Sequence, residues 1–108
     1  MRMDQKDIVS LRNALDEADT YYSRIVAFSN LLACPELTWG DLLAALKFPG
    51  FVADQAALML DSCFKVSERE GRIVKSVSFW ETYIENAGIA KTEPVKTRLP
   101  IVVHRKRK

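Results

Sequence analysis

An apolar stripe runs through the first third of this 108-residue chain and constrains its fold more than any other feature. The stripe repeats at alternating spacings of three and four residues, which places its members on one face of an α-helix. The pattern predicts one continuous helix from Asp4 to about Ala33, because Asp4 is a suitable N-cap and Pro35 disfavours helical geometry in the residue before it. The members of the stripe, apolar except for the serine, are Ile8, Leu11, Leu15, Ala18, Tyr22, Ile25, Ser29 and Leu32.

The predicted length of this helix bears on the oligomeric state. At about 1.5 Å per residue the helix would be roughly 45 Å long, which exceeds the width of a domain of this size. Either part of the helix projects from the domain, or its stripe packs against a second copy. We therefore predict a homodimer, although the same stripe would also suit a purely internal core. The predicted dimer interface consists of Ile8, Leu11, Leu15, Tyr22, Ile25 and Leu32.

A second helical unit follows in the segment TWGDLLAALKFPGFVADQAALML. Thr38 and Asp41 stand three residues apart, as in a capping box, and predict the start of a short helix. The dipeptide Pro49-Gly50 ends that helix, and apolar residues then recur at the helical period from Phe51 to Cys63. The sequence therefore predicts a helical hairpin over this segment.

Two short runs of alternating apolar and polar residues come next, Phe64–Glu68 and Arg72–Ser78. The turn signal Glu70-Gly71 separates them, and this combination is typical of a β-hairpin. The competing interpretation continues the preceding helix through Glu68 to Val77, with an interruption at Gly71. We predict the hairpin.

A last short helix is predicted by the capping pattern Ser-x-x-Glu at Ser78–Glu81, and Asn86-Ala87-Gly88 is a C-terminal stop. The fold class is therefore mostly α, of the α+β kind. It comprises a long N-terminal helix, a helical hairpin, a β-hairpin and a short C-terminal helix. Residues 1–90 are predicted to form a single compact helical domain, and residues 91–108 a basic C-terminal tail.

The order helix, helix, turn, helix, hairpin over residues 5–78 resembles that of winged helix-turn-helix proteins. The resemblance is one of element order, and it implies that Phe51–Ser62 is the recognition helix and Glu68–Arg72 the wing tip. Base edges and phosphates are contacted mainly by Arg, Lys, Asn and Gln. The recognition segment contains no Arg or Lys and carries Asp54 and Asp61. In a winged helix of this composition, we expect that helix to contact protein rather than the major groove.

Positive charge is concentrated at the C-terminal end of the chain. Residues 1–88 carry nine basic and thirteen acidic side chains, whereas residues 89–108 carry seven basic and one acidic. This asymmetry indicates a tail that binds a polyanion, and we expect non-specific contact with nucleic-acid phosphates. The alternatives are a nuclear import signal, an acidic protein surface as partner, or a tail that only aids solubility. The predicted nucleic-acid-binding residues are Lys96, Arg98, Arg105, Lys106, Arg107 and Lys108 in the tail, with Arg69, Arg72 and Lys75 in the predicted β-hairpin.

Four aromatic side chains lie at or near the ends of the predicted helices and are candidate protein-interaction residues. An exposed tryptophan is a frequent anchor at protein interfaces. Large rings at the ends of helices also commonly close a small core, which is the alternative interpretation. The four candidates are Trp39, Phe48, Phe51 and Trp80.

Residues that would support catalysis are scarce. The single histidine, His104, lies in the predicted tail, and Cys34 and Cys63 are too few for a zinc site or a disulfide framework. We expect both cysteines to be buried thiols in a reducing cytoplasm. The chain has no nucleotide-binding, zinc-protease or EF-hand motif, and no apolar run approaches the roughly 20 residues of a membrane span. We therefore expect no catalytic residues, no metal, no cofactor and no membrane partner.

These features together predict a small non-enzymatic accessory or regulatory protein. Its tail would associate with nucleic acid, and its acidic body would bind a protein partner. The alternative is a pure protein-interaction module, an adaptor or an inhibitor, that does not bind nucleic acid.

Overall fold

A computed structural model describes residues 7–97 of the chain. Over this range the backbone forms six α-helices and a final short 3₁₀ turn, with no strand. The helices are α1 (Ile8–Glu17), α2 (Tyr21–Leu32), α3 (Trp39–Ala45), α4 (Phe51–Phe64), α5 (Ser67–Glu70) and α6 (Val77–Asn86), and the turn spans Val95–Thr97.

The prediction of one long N-terminal helix is wrong, because the chain forms two helices that pack against each other as a hairpin. Thr20 is the N-cap of α2: its hydroxyl accepts the backbone N–H of Ser23 at 3.0 Å. In return, the backbone N–H of Thr20 donates to the hydroxyl of Ser23 at 3.2 Å. This capping box satisfies amides that a continuous helix would satisfy along its axis. A local cap therefore prevails over the continuity of the apolar stripe.

Folding back turns most of the stripe inward. Leu15 is buried, whereas Tyr22 is 74% exposed. The continuous stripe on which the homodimer was argued does not form, and the homodimer remains a prediction without that support. The other predicted interface residues pack, partly buried, against the internal core: Ile8, Leu11, Ile25 and Leu32.

The predicted helical hairpin is confirmed by α3 and α4, and so is the capping box that begins α3. The Thr38 hydroxyl accepts the backbone N–H of Asp41 at 3.2 Å, and the Asp41 carboxylate accepts the backbone N–H of Thr38 at 2.9 Å. The same carboxylate accepts two hydrogen bonds from the guanidinium of Arg12, from Nε at 2.6 Å and from Nη2 at 3.0 Å. One side chain therefore caps α3 and joins it to α1.

The predicted β-hairpin is wrong, and with it the α+β class and the winged-helix order. Lys65 ends α4 in the left-handed conformation, and the chain turns directly into α5. The Asp61 carboxylate holds this turn, because it accepts the backbone N–H of Ser67 at 2.6 Å and its hydroxyl at 2.8 Å. Val66 and Val74 are each buried in the core. Their alternation with polar residues therefore reflects burial at two separate points and not a pleated pair of strands.

The predicted C-terminal helix is confirmed as α6, which starts at the N-cap Ser76, two residues before the predicted one. Its Trp80 is fully buried, and the indole N–H donates to the backbone carbonyl of Val74 at 2.7 Å. The Phe64 ring lies between Trp39 and Trp80, with centroid separations of 5.3 and 6.1 Å. This aromatic cluster connects α3, α4 and α6 at the centre of the core.

The segment after α6 packs onto the body and closes the start of α3. The backbone N–H of Val95 donates to the carbonyl of Leu37 at 2.8 Å, and Val95 is 1% exposed. The first amides of α3, those of Trp39 and Gly40, donate to the carbonyls of Glu93 and Lys91. A helix start leaves such amides without partners inside the helix, so residues 91–95 supply a cap that the sequence pattern did not reveal.

Candidate functional site

A shallow groove between α1 and α2 is a candidate interaction surface of the described chain. It has a volume of about 520 Å³ and an apolar floor that includes Ala14, Ala18 and Ala27. Tyr22 and Val26 line its wall one turn apart on α2 and are 74% and 40% exposed. Exposed large apolar side chains that share a concave surface are a feature of binding sites more often than of inert surface.

Acidic side chains flank one end of this groove. Glu17 and Asp19 line it, and Asp16 precedes them at the end of α1. None of these three carboxylates takes part in an ion pair among residues 7–97. Sequence reasoning missed the groove because it treated this stretch as the exposed face of one long helix. The N-cap pattern of Thr20 and Ser23 was the signal for the turn that creates it.

The basic residues predicted to bind nucleic acid do not form a single patch within residues 7–97. Arg69, on α5, and Arg72 are exposed, and Arg69 donates a 3.5 Å hydrogen bond to the Tyr83 hydroxyl. Lys75 is held at 2.8 Å from the carboxylate of Asp54 on α4. Lys96 is exposed next to Val95. The remaining candidates, Arg98, Arg105, Lys106, Arg107 and Lys108, lie outside the described residues.

The exposed side of α4 carries apolar and acidic groups. Phe51 and Leu58 are among its exposed large side chains. Asp54 is paired with Lys75, and Asp61 is used by the turn to α5. No cation of α4 is therefore available to contact phosphate, as expected from the absence of Arg and Lys between residues 51 and 62.

Two of the four aromatic candidates belong to the interior. Trp39 and Trp80 are fully buried, so neither offers a ring to a partner in this conformation. Phe48 is half-buried and packs beneath the guanidinium of Arg24, 5.5 Å from the ring centroid. Phe51 is 39% exposed at the start of α4. Phe51 is thus the member of this set that presents the most surface.

Groups with catalytic or metal-binding potential are sparse within the described range. No group of three His, Cys, Asp or Glu side chains there could hold a metal ion, and His104 lies outside that range. Both cysteines are free and buried. Burial raises the pKa of the Cys63 thiol to about 11, because it disfavours the thiolate. The thiol therefore stays protonated at neutral pH and is a poor nucleophile.

Comparison with known proteins adds no relative. No protein-family model matches the chain, and no curated protein and no solved structure resembles it closely enough to match. Among the helices of residues 7–97, none has the length and apolar character needed to cross a membrane.

Proposed function

We propose that this chain is a non-enzymatic accessory protein that connects nucleic acid to a protein partner. Its basic residues 98–108 contact phosphates, and its acidic body contacts protein. The observation that carries this proposal is the separation of charge between the packed body and the segment after it. Residues 7–97 contain thirteen acidic and nine basic side chains, whereas residues 98–108 contain five basic and no acidic ones.

Three of the nine cations in residues 7–97 are paired internally, which leaves fewer of them for phosphate contact. Arg12, Lys75 and Lys91 are each engaged by a carboxylate within the body. Phosphate binding by loosely arranged cations releases counterions and reads no sequence. Five neutralised phosphates correspond to a slope of about −4 to −5 in log Kobs against log salt. The expected binding is therefore steeply salt-dependent and indifferent to sequence.

Fluorescence anisotropy with a labelled duplex and a labelled single strand tests this proposal. The full chain is compared with a variant in which Arg105, Lys106, Arg107 and Lys108 are all changed to Gln. The matched control removes four exposed body cations instead, through Lys47→Gln, Lys65→Gln, Arg69→Gln and Arg72→Gln. We expect the first variant to lose binding at low salt and the control to keep most of it. Absence of low-salt binding by the full chain, or equal loss in both variants, contradicts the proposal.

The groove between α1 and α2 favours the second candidate, a pure protein-interaction module. Its exposed Tyr22 and Val26 lie beside carboxylates, which repel phosphate and suit a partner with apolar and basic side chains. The anisotropy experiment separates the candidates. A chain that binds neither nucleic acid at low salt belongs to the second class.

A further inference from the structure

We propose that residues 98–108 dock into the α1–α2 groove of their own chain when no polyanion is bound. This inference rests on the proposed function, because it assigns a second partner to the same basic segment. The groove then holds the segment in reserve, and nucleic acid must displace it.

Chemical complementarity is the first argument for this occupant. The segment reads RLPIVVHRKRK, with apolar residues in its first half and four cations in its last four positions. The groove has exposed apolar side chains along α2, Tyr22 and Val26, and the carboxylates of Glu17 and Asp19 at one end. Apolar contact along the wall and ion pairs at the end would satisfy both halves of the segment at once.

The direction of the chain is the second argument. Val95 is fixed to Leu37, which follows the C-terminal end of α2. The groove lies along α2 from Tyr22 to Asn30, over about 12 Å at the helical rise of 1.5 Å per residue, and Asn30 is its lining residue nearest in sequence to Leu37. Six extended residues, 98–103, span up to about 20 Å. Residues 98–103 are therefore long enough to cover the groove, and a segment that enters at Asn30 would bring the cations at 105–108 toward Glu17 and Asp19.

The carboxylates at that end are available for this role. Glu17 and Asp19 make no ion pair among residues 7–97. Acidic residues in the last turn of a helix such as α1 are also unfavourable to the helix dipole. Cations from residues 105–108 at this end of the groove would neutralise Glu17 and relieve that unfavourable interaction.

Competition for the segment has a functional consequence. In the docked state its cations face carboxylates and are withheld from weak or isolated anions. A polyanion with many phosphates makes enough contacts with the segment to release it from the groove. The accessory protein would therefore expose its segment mainly on extended nucleic acid.

Paramagnetic relaxation on the full chain tests this docking. A nitroxide is attached at His104→Cys, which keeps all the cations of the segment, while the native Cys34 and Cys63 are buried and label poorly. We expect the amide signals of Asp19 and Ser23 to lose most of their intensity relative to the reduced nitroxide. Addition of duplex DNA should restore these signals. The absence of any excess loss over the reduced state overturns the inference.

A matched pair of variants shows whether the acidic end holds the segment. Glu17→Gln with Asp19→Asn should abolish the signal loss at Ser23, whereas Glu68→Gln with Glu85→Gln removes equal charge from exposed sites and should not. Equal loss in both variants contradicts docking at the groove. Mixing isotope-labelled chains with nitroxide-bearing unlabelled chains detects a second copy as the occupant. Signal loss confined to that mixture overturns docking within one chain.

The outcomes for the two proposals are distinguishable. Signal loss at the groove in a chain that does not bind nucleic acid supports the docking and refutes the proposed function. Salt-dependent nucleic-acid binding by a chain without signal loss at the groove does the reverse.

Discussion

At the scale of single residues, Asp41 combines two tasks, because it caps α3 and pairs with a cation on α1. Its carboxylate caps α3 through Thr38 and accepts both hydrogen bonds from Arg12. Those hydrogen bonds raise the pKa of the Arg12 guanidinium, because they stabilise its charged form. The side chain of Asp41 is 8% exposed and that of Arg12 is 38% exposed. The carboxylate is thus the buried partner, and its loss affects two helices.

We therefore expect Asp41→Ala to lower the free energy of unfolding by about 3 kcal/mol, the low end for a broken buried pair, because the half-exposed Arg12 regains water. Asp54→Ala is the control, since its pair with Lys75 is exposed on both sides and is expected to contribute about 0.5 kcal/mol. Urea denaturation of both variants measures the difference. Equal effects would show that the α1–α3 connection contributes no more than a surface pair.

A second residue-scale prediction concerns Gly50, which begins α4 with φ 70° and ψ −134°. L-residues avoid this region, and a Cβ there would lie 3.0 Å from Cε1 of Tyr21. Gly71 has φ 79° and ψ 6°, close to the left-handed helical region, with open space around it. We expect Gly50→Ala to destabilise the fold by about 3 kcal/mol and Gly71→Ala by about 1 kcal/mol. Chemical denaturation ranks the two, and the reverse order would contradict the close contact with Tyr21.

At the scale of elements, two sequence patterns predict different structures for the junction between α1 and α2. The apolar stripe continues through residues 18–20, as it would in one helix, while Thr20 and Ser23 form a capping box. The cap prevails because folding back also buries both helices against one core, which a straight helix of that length cannot do. The apolar period gave the wrong path for the backbone, and the buried residues of α2, which are Ala27, Phe28 and Leu31, lie outside the stripe.

The two possible structures of this junction predict opposite changes in the free energy of unfolding for a substitution at Thr20. As an N-cap, Thr20 should be worth about 1 kcal/mol, so Thr20→Ala is expected to destabilise. In a continuous helix the same change would stabilise by about 0.5 kcal/mol, because alanine is the better helix former. Asn13→Ala, at an exposed position inside α1, is the control and should be stabilising. Thermal unfolding of the two variants gives opposite shifts if the hairpin forms and parallel shifts if it does not.

The other elements show what sequence patterns can and cannot give. The helices α3, α4 and α6 were predictable, because each has a capping residue or a clear stop near its ends. The region 65–76 was not, because alternation fits a strand and also fits an irregular segment with two buried valines. The turn depends on the hydrogen bonds that Asp61 accepts from Ser67. These residues are six positions apart in the sequence, and no local sequence pattern predicts their contact. The groove was missed for the same reason as the α1–α2 junction, because the capping pattern of Thr20 and Ser23 conflicts with the apolar period.

At the scale of the whole molecule, charge and packing divide the chain at different places. The net charge of the sequence changes from negative to positive near Gly88. Residues 89–97 nevertheless pack onto the body, and Ile89 and Val95 are buried in its core. A boundary drawn from charge therefore cuts through a packed segment. After Thr97 the sequence contains five cations and no carboxylate, and this increases the contrast between an acidic body and a basic end.

Truncated chains show where the folded body ends. Removal of residues 98–108 should leave the free energy of unfolding within about 1 kcal/mol of the parent, since short termini seldom stabilise a domain strongly. Removal from Lys91 onward should lower it by about 4 kcal/mol, because the burial of Val95 is lost and the amides of Trp39 and Gly40 lose their acceptors. Val95→Ala isolates the apolar part and is expected to account for about 2 kcal/mol.

Urea denaturation of the two truncated chains and of Val95→Ala gives the three values under one set of conditions. If removal of residues 91–108 lowered the free energy of unfolding no more than removal of residues 98–108, the folded body would end where the basic region begins. The segment that caps α3 would then be dispensable. The expected order places the end of the folded body after the start of the basic region. Under the proposed function, substitutions at residues 105–108 should abolish nucleic-acid binding and leave the free energy of unfolding unchanged, so that loss of function and loss of structure are measured separately.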